Sequence, residues 1–332
     1  MSADLPLKSM VKTRFVGALV GGAIGDALGF PHEGRSRSFM FALGDEATDR
    51  YEAHRSGYHG PGQYSIETQF ALLTVESLVK EGRFDPSMIA ARLTDLYRDN
   101  GAVGRDVESI PAFERLAAGA TWDRSGSQSA RGGGALSRAV PIGLWYHDRL
   151  DRCAEAAAES ARITHSSSVP MAACAAVATA AAYCVTHREV ILGEFIDDLV
   201  AATRPIDTEV ADGIANLPHV LASPEPAVIH ELLAIGRDEN IVAEGLASDA
   251  RAALLCALYY FLRSPSRFDR CVQGCLLVGG DVDGPAFLAG ALSGAFNGEE
   301  GLRSDLRDEL FEVERITRLA EELYVARIGT HD

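Results

Sequence analysis

Gly279-Gly280-Asp281-Val282-Asp283-Gly284-Pro285, followed by the small-residue run from Ala286 to Phe296, is the stretch on which the fold turns. Two carboxylates stand one residue apart, after the apolar run Leu276-Leu277-Val278 and before a proline. Proline is favoured at the first position of a helix, where its missing N–H costs nothing. A helix is therefore expected to start here with both acids at its N-terminal end, where the macrodipole tolerates anionic side chains and the pair can hold a hard cation. Helix capping by Asp283 alone would account for neither Asp281 nor the paired glycines.

Working outward, the segments on either side are helical by their apolar spacing. Phe268 to Leu277 delivers the motif, preceded by the strongly apolar Ala250 to Leu262, and a charged helix from Arg303 to Arg327 closes the chain. Met171 to Thr186 is almost wholly Ala, Val and Cys, hydrophobic all round, and reads as a buried central helix. Near the start, Thr13 to Leu28 carries Gly17, Gly21, Gly22 and Gly25 among apolar residues. That glycine density costs roughly 1 kcal/mol per residue in helix propensity and lets another backbone approach closely. Further helices are expected over Pro86 to Tyr97, Ile110 to Ala118, Asp151 to Ile163, Val190 to Thr203, Glu209 to Leu217 and Pro226 to Leu233. Arg35 to Gly62 lacks a clear period and reads as a long irregular excursion. With no alternating strands or Asn-Gly hairpins, the expected architecture is all-α: one compact multi-helix domain over residues 1–332, its cleft made by helix ends.

Composition narrows the function. The chain of 332 residues is 47% hydrophobic and 23% charged, with a formal net charge of -16. Such an excess of acid repels nucleic-acid backbones, so no nucleic-acid partner is expected. An acidic cleft would instead gather divalent cations. Met1 to Lys12 lacks a long apolar core, and no apolar stretch reaches the roughly 18 residues of a membrane span, so no membrane partner and a cytoplasmic location are expected. The six cysteines lie mostly in apolar helical segments without C-x-x-C spacing and read as buried reduced thiols.

Four stretches besides the aspartate pair carry chemistry. Glu33 follows the end of the glycine-rich helix in a loop. Ser65-Ile66-Glu67-Thr68 starts a helix, with Ser65 as N-cap and Glu67 in the first turn. Ser125 to Gly134, ending in Gly132-Gly133-Gly134, is a serine- and glycine-rich turn of the kind that presents backbone N–H groups to a phosphate, or simply flexes. His165, in Thr164-His165-Ser166 ahead of the buried helix, is placed to face the same cleft.

Together these pieces resemble the ADP-ribosylglycohydrolase family. The resemblance rests on Gly17 to Gly29, Gln63 to Leu72 with Glu76-Ser77-Leu78, Arg138 with Pro141-Ile142-Gly143, Thr164-His165, and Gly279 to Asp283 with the helix after it. It implies an orthogonal helical bundle with a magnesium centre of one or two Mg2+ ions in a cleft that binds ADP-ribose. By that likeness Ser65, Glu67, Asp281 and Asp283 are metal ligands, Gly132, Gly133 and Gly134 hold phosphate through free backbone amides, His165 lines the ribose pocket, and Glu33 and Asp283 are catalytic. The family's Thr-Asp-Asp-Thr stretch reads Ser65-Ile66-Glu67-Thr68 here, and its Asp-Thr-Asp-Thr stretch reads Asp281-Val282-Asp283-Gly284. Ile66 thus replaces a carboxylate and Gly284 a hydroxyl. Two functions follow: hydrolysis of the glycosidic bond between ADP-ribose and a protein or small acceptor, or binding of ADP-ribose without turnover.

Overall fold

A computed structural model describes residues 8–104, 106–237 and 243–329. The reading of Met1 to Leu7 lies outside these. Every element among the described residues is an α or 3-10 helix, and the only sheet-like pairings are three isolated bridges. The fold is all-α, as its sequence indicates.

The register of the molecule is set where the glycine-rich helix Lys8–Gly29 lies antiparallel against Asp283–Asn297. Glycines spaced four apart bring the two backbones into contact. A Cβ at Gly17 would stand 2.3 Å from the Gly294 oxygen, one at Gly21 2.6 Å from the Gly290 oxygen, and one at Gly25 2.1 Å from the Ala286 oxygen. Any side chain at these positions would force the helices apart, so the sequence admits one spacing and one offset. The C-terminal end of the first helix and the N-terminal end of the second therefore meet at one place, which is where the site forms.

Ser168–Thr186 crosses behind this pair, packed on Ala139–Trp145, Leu150–Arg162 and Leu192–Thr203. By length and composition it is apolar enough to cross a membrane, contrary to the expectation that no stretch reaches that length, and 89% of its apolar window is buried against its neighbours. All six cysteines are buried and free. Val313–Gly329 covers Lys8–Gly29 and Ile66–Glu81 from the outside.

Three other expectations are corrected. The excursion from Arg35 to Gly62 contains two short helices, Arg37–Leu43 and Glu46–Asp49. Their apolar period is masked because Phe39 and Phe41 are exposed, each under an arginine, with Arg35 4.6 Å from the Phe39 ring and Arg37 5.6 Å from the Phe41 ring. The closing helix is broken into Ser304–Glu309 and Val313–Gly329, with Glu312 at φ 54° between them. The helix after the aspartate motif starts at Asp283, so Pro285 is its third residue rather than its first. Asp283 is inside the first turn, and the preceding residue, Val282, makes no side-chain cap.

Candidate active site

Asp26, buried in the last turn of the first helix, organises the candidate site. Its carboxylate accepts from the Ser65 N–H at 3.0 and 3.1 Å, the Thr68 N–H at 3.0 Å and the Thr68 hydroxyl at 2.7 Å. It thereby satisfies the free amides at the start of Ile66–Glu81, which every helix leaves unpaired in its first turn. Ser65 caps the same turn, accepting from the Glu67 N–H at 3.2 Å, as its sequence predicts. With this helix end bolted to Asp26, Glu67 faces the Asp281–Asp283 loop.

That loop is bolted in turn by backbone alone. Gly280 pairs with Arg35 on one side, and with Leu246 on the other. The Gly34 N–H donates to the Gly280 carbonyl at 2.8 Å, the Gly280 N–H to the Arg35 carbonyl at 2.7 Å, and the Asp281 N–H to the Leu246 carbonyl at 3.1 Å. Gly279 and Gly280 both have positive φ, 71° and 79°, and a Cβ on Gly280 would lie 2.2 Å from the Leu246 oxygen. The paired glycines are thus a requirement of the crossing, and they carry Glu33, one residue before Gly34, to the side of Asp281.

Glu33, Ser65, Glu67, Asp281 and Asp283 line one cleft of about 460 Å3, together with Gly133, Gly134, Asp106 and Glu108. Ile66, Val107, Leu136 and Leu288 form its apolar wall. No lysine, arginine or histidine lines it among the described residues. Burial and mutual repulsion accordingly push the acids up from their usual range. Asp26 and Glu33 are each raised to about 7, by burial first and then by Asp283; Arg55 partly offsets the rise at Glu33. Glu67 is raised well above the usual range by burial, Asp283 and Asp26, and Asp281 likewise by burial and Asp283. Asp283 is raised by burial, against the pull of the Gly284 N–H, 3.0 Å away, and the Ser65 hydroxyl.

These hard oxygen donors, crowded without a balancing charge, have the chemistry that suits a small divalent cation. The side chains are not closed on a point: among the described residues no three His, Cys, Asp or Glu side chains are arranged to hold a metal ion. Ile66 is 6% exposed and contributes only hydrocarbon to the rim.

The glycine loop differs from its expected state. Gly133 and Gly134 line the cleft, but the Gly132 N–H is not free: it donates to Glu108 Oε2 at 2.6 Å, and the Arg131 N–H donates to the same oxygen at 3.0 Å. His165 is fully buried and lies behind Glu108, its Nε2 3.6 Å from Glu108 Oε2, rather than at the surface of the cleft. Arg138, also fully buried, ties this corner together, donating to the Ser160 carbonyl at 3.0 Å and the Thr164 hydroxyl at 2.8 Å.

Sequence reasoning gave no role to Asp26, Asp106, Glu108 or Ser248, all of which shape the cleft or its walls. For Asp26 there was a signal, a lone carboxylate within a glycine-rich apolar helix; for the others there was none.

The family model for ADP-ribosylglycohydrolases matches residues 8–332. The chain belongs to the ADP-ribosylglycohydrolase family. It is 26% identical to the ADP-ribosylhydrolase ARH3 of Danio rerio, over 95% of this chain and 91% of that one. It is also 26% identical to the ADP-ribosylarginine hydrolase Tri1 of Serratia proteamaculans, over 93% of this chain and 78% of that one. An uncharacterized protein of Archaeoglobus fulgidus is 27% identical over 94% of this chain and 97% of its own length. A solved structure, described as an ADP-ribosylglycohydrolase-related protein complex, superposes with a TM-score of 0.72 at 24% identity, covering 96% of this chain and 99% of that one, and shares the fold.

Proposed function

We propose that this protein is an ADP-ribosyl hydrolase, cleaving the bond between the anomeric ribose carbon of ADP-ribose and a protein side chain or small acceptor with the help of magnesium. The observation that carries the reading is the convergence of Glu33, Glu67, Asp281 and Asp283 with Ser65 on one cleft, held there by the Asp26 and Gly280 contacts. Ser65, Glu67, Asp281 and Asp283 would hold the cation. Magnesium, when bound, supplies positive charge to ribose hydroxyls and to water. Glu33, raised to about 7, is suited to take the proton of the attacking water at neutral pH. The water oxygen bonds to the anomeric carbon, the bond from that carbon to the acceptor breaks, and the acceptor leaves with a proton. Ile66 and Leu136 give the cleft an apolar wall beside these acids.

A second reading, binding without turnover, is favoured by one observation: Ile66 places hydrocarbon where the family resemblance has a carboxylate. Incubation with ADP-ribosylated arginine and ADP-ribosylated serine, with and without magnesium, separates the two. Magnesium-dependent release of ADP-ribose that is lost in Asp283→Ala supports hydrolysis. Calorimetric binding of ADP-ribose with no release supports the second reading, and neither binding nor release overturns both.

A further inference from the structure

One oxygen of Glu108 sits at the meeting point of three donors. The Arg131 and Gly132 N–H groups donate to Oε2 at 3.0 and 2.6 Å, and His165 Nε2 faces it at 3.6 Å with no hydrogen-bond partner of its own. Behind His165 runs a short chain of hydrogen-bonding side chains. Arg138 is a permanent donor and donates a hydrogen bond to the Thr164 hydroxyl at 2.8 Å. That hydroxyl stands 2.9 Å from His165 Nδ1, and its own hydrogen suits the tautomer that carries its N–H on Nε2. In that tautomer the imidazole N–H points at Glu108, whose carboxylate can only accept. Two backbone amides and a wholly buried imidazole N–H converging on one point make a seat for an anionic oxygen.

Glu108 reaches this seat from the solvent side. Its side chain is 38% exposed, whereas His165 is 0% exposed. It rides on a turn closed by Asp106, whose carboxylate accepts from the Glu108 N–H at 3.1 Å and the Ser109 N–H at 3.3 Å and lies over Gly134. The fit depends on glycine, since a Cβ at Gly132 would be 2.7 Å from Glu108 Oε2. The facing His165 imidazole, and then the Gly132 N–H, holds the Glu108 carboxyl below its usual range, so the occupant of the seat is an anion.

We propose that Glu108 is a specificity-determining residue: its carboxylate holds the seat of a phosphate oxygen, and a phosphate-bearing ligand binds only by displacing it into solvent. This inference deepens the proposed function and rests on it for the identity of the sugar; the seat rests on the three donors. Its consequence is that ligands are selected by how strongly their phosphate outcompetes a built-in carboxylate. The apparent affinity is the intrinsic one multiplied by the fraction of molecules with Glu108 displaced.

The test uses the full chain with inorganic diphosphate as probe, in the presence of a chelator so that the metal site takes no part. Dissociation constants are measured by calorimetry for the wild type, Glu108→Gln and Glu108→Ala, and the Gly132 amide and His165 ring signals are followed by NMR. The glutamine variant keeps an acceptor for the loop and guards against misfolding. Expected is tighter binding in the order wild type, Glu108→Gln, Glu108→Ala, with about a tenfold gain at the end of the series and a shift of the Gly132 amide on saturation. Equal or weaker binding in both variants, no binding in any, or tighter binding that leaves the Gly132 amide unmoved overturns the proposal. Release of ADP-ribose by the wild type is assayed separately, so that loss of the hydrolase reading and loss of the Glu108 reading give different results.

Discussion

Gly29 and Asp283 touch through their backbones: a Cβ on Gly29 would stand 2.5 Å from the Asp283 Cα and 2.9 Å from its N. The contact fixes the depth of Asp283 relative to Asp26, three residues back along the same helix. Gly29→Ala must push the two helices apart at the point where the acids meet, and overpacking against backbone costs about 1–3 kcal/mol or more. The expected outcome is a lowered melting temperature together with at least about a tenfold loss of magnesium affinity, because moving the ligands is worse than straining the core. Gly193→Ala is the control. That glycine lies in a helix with nothing within 4 Å of an added Cβ, so it should hold or raise the melting temperature and leave magnesium binding unchanged.

Asp26 reaches no substrate in the proposed reaction, yet it holds the turn from which Ser65 and Glu67 work. Asp26→Ala would strand the Ser65 and Thr68 amides in a buried position, and each unsatisfied group costs about 1–3 kcal/mol. Asp26→Asn offers one oxygen where two are in use, and turns an NH2 toward donors. Both variants should melt well below the wild type in differential scanning calorimetry, alanine lowest, and both should bind magnesium more weakly. An Asp26→Asn protein with wild-type stability and affinity would show that the turn stands without this clamp.

What could be read from the sequence divides by the range of the interaction. Ser65 as a cap is a relation within one turn of chain, and Gly279-Gly280-Asp281 is a local departure from helix, so both were legible. Glycines four apart in the first helix announced a close neighbour, but not that Gly290 and Gly294 would be its other face. The Asp26 bond to Ser65 spans 39 residues and the Glu108 bond to Gly132 spans 24, and nothing local to either end signals the other. The availability of the Gly132 amide was misjudged for that reason: a glycine-rich loop shows that an anion fits, not which anion is already there. The helix Arg37–Leu43 was missed because its phenylalanines face outward under arginines instead of marking a buried stripe.

Glu33 makes the pH dependence of stability testable. Burial, Asp283 and Asp26 raise its carboxyl from 4.5 to about 7 in the folded protein, with Arg55 working against them. Between these values the native state binds more protons than the unfolded one, so the contribution to stability is present in acid and is lost as pH rises through about 7. At roughly 1.4 kcal/mol per unit of pKa, the loss is on the order of 2 kcal/mol after screening. In chelator-treated protein, the melting temperature of the wild type should fall more steeply from pH 5 to pH 8 than that of Glu33→Gln, which has no proton to lose. Parallel profiles would show that Glu33 is solvated rather than crowded.

Under the proposed function, Ile66 and Gly284 are the two positions at which the cation site lacks an oxygen donor. Each stands where the family resemblance has an oxygen donor, and each can be put back. At Gly284 the nearest atom to an added Cβ is Asp281 Oδ1 at 3.7 Å, so the Cβ of a threonine stands in ordinary contact there. Ile66 is the first residue of its helix, and its N–H donates to the Val103 carbonyl at 2.7 Å, a bond that aspartate preserves because it uses the backbone alone. Magnesium requires near-octahedral oxygen coordination, and water replaces a hydroxyl more readily than a charge. Ile66→Asp should therefore tighten magnesium binding by more than Gly284→Thr does. The double variant should exceed both, since each donor orients the ion for the other. In metal-free protein the same Ile66→Asp change adds a further carboxylate to a crowded cleft and removes apolar surface, so it should lower the melting temperature until magnesium is added. Calorimetric titration with magnesium, paired with melting curves in chelator, reads both effects on one set of proteins. An Ile66→Asp protein with unchanged affinity would place this residue outside the reach of the ion and leave Glu67, Asp281 and Asp283 to bind it without help from that position.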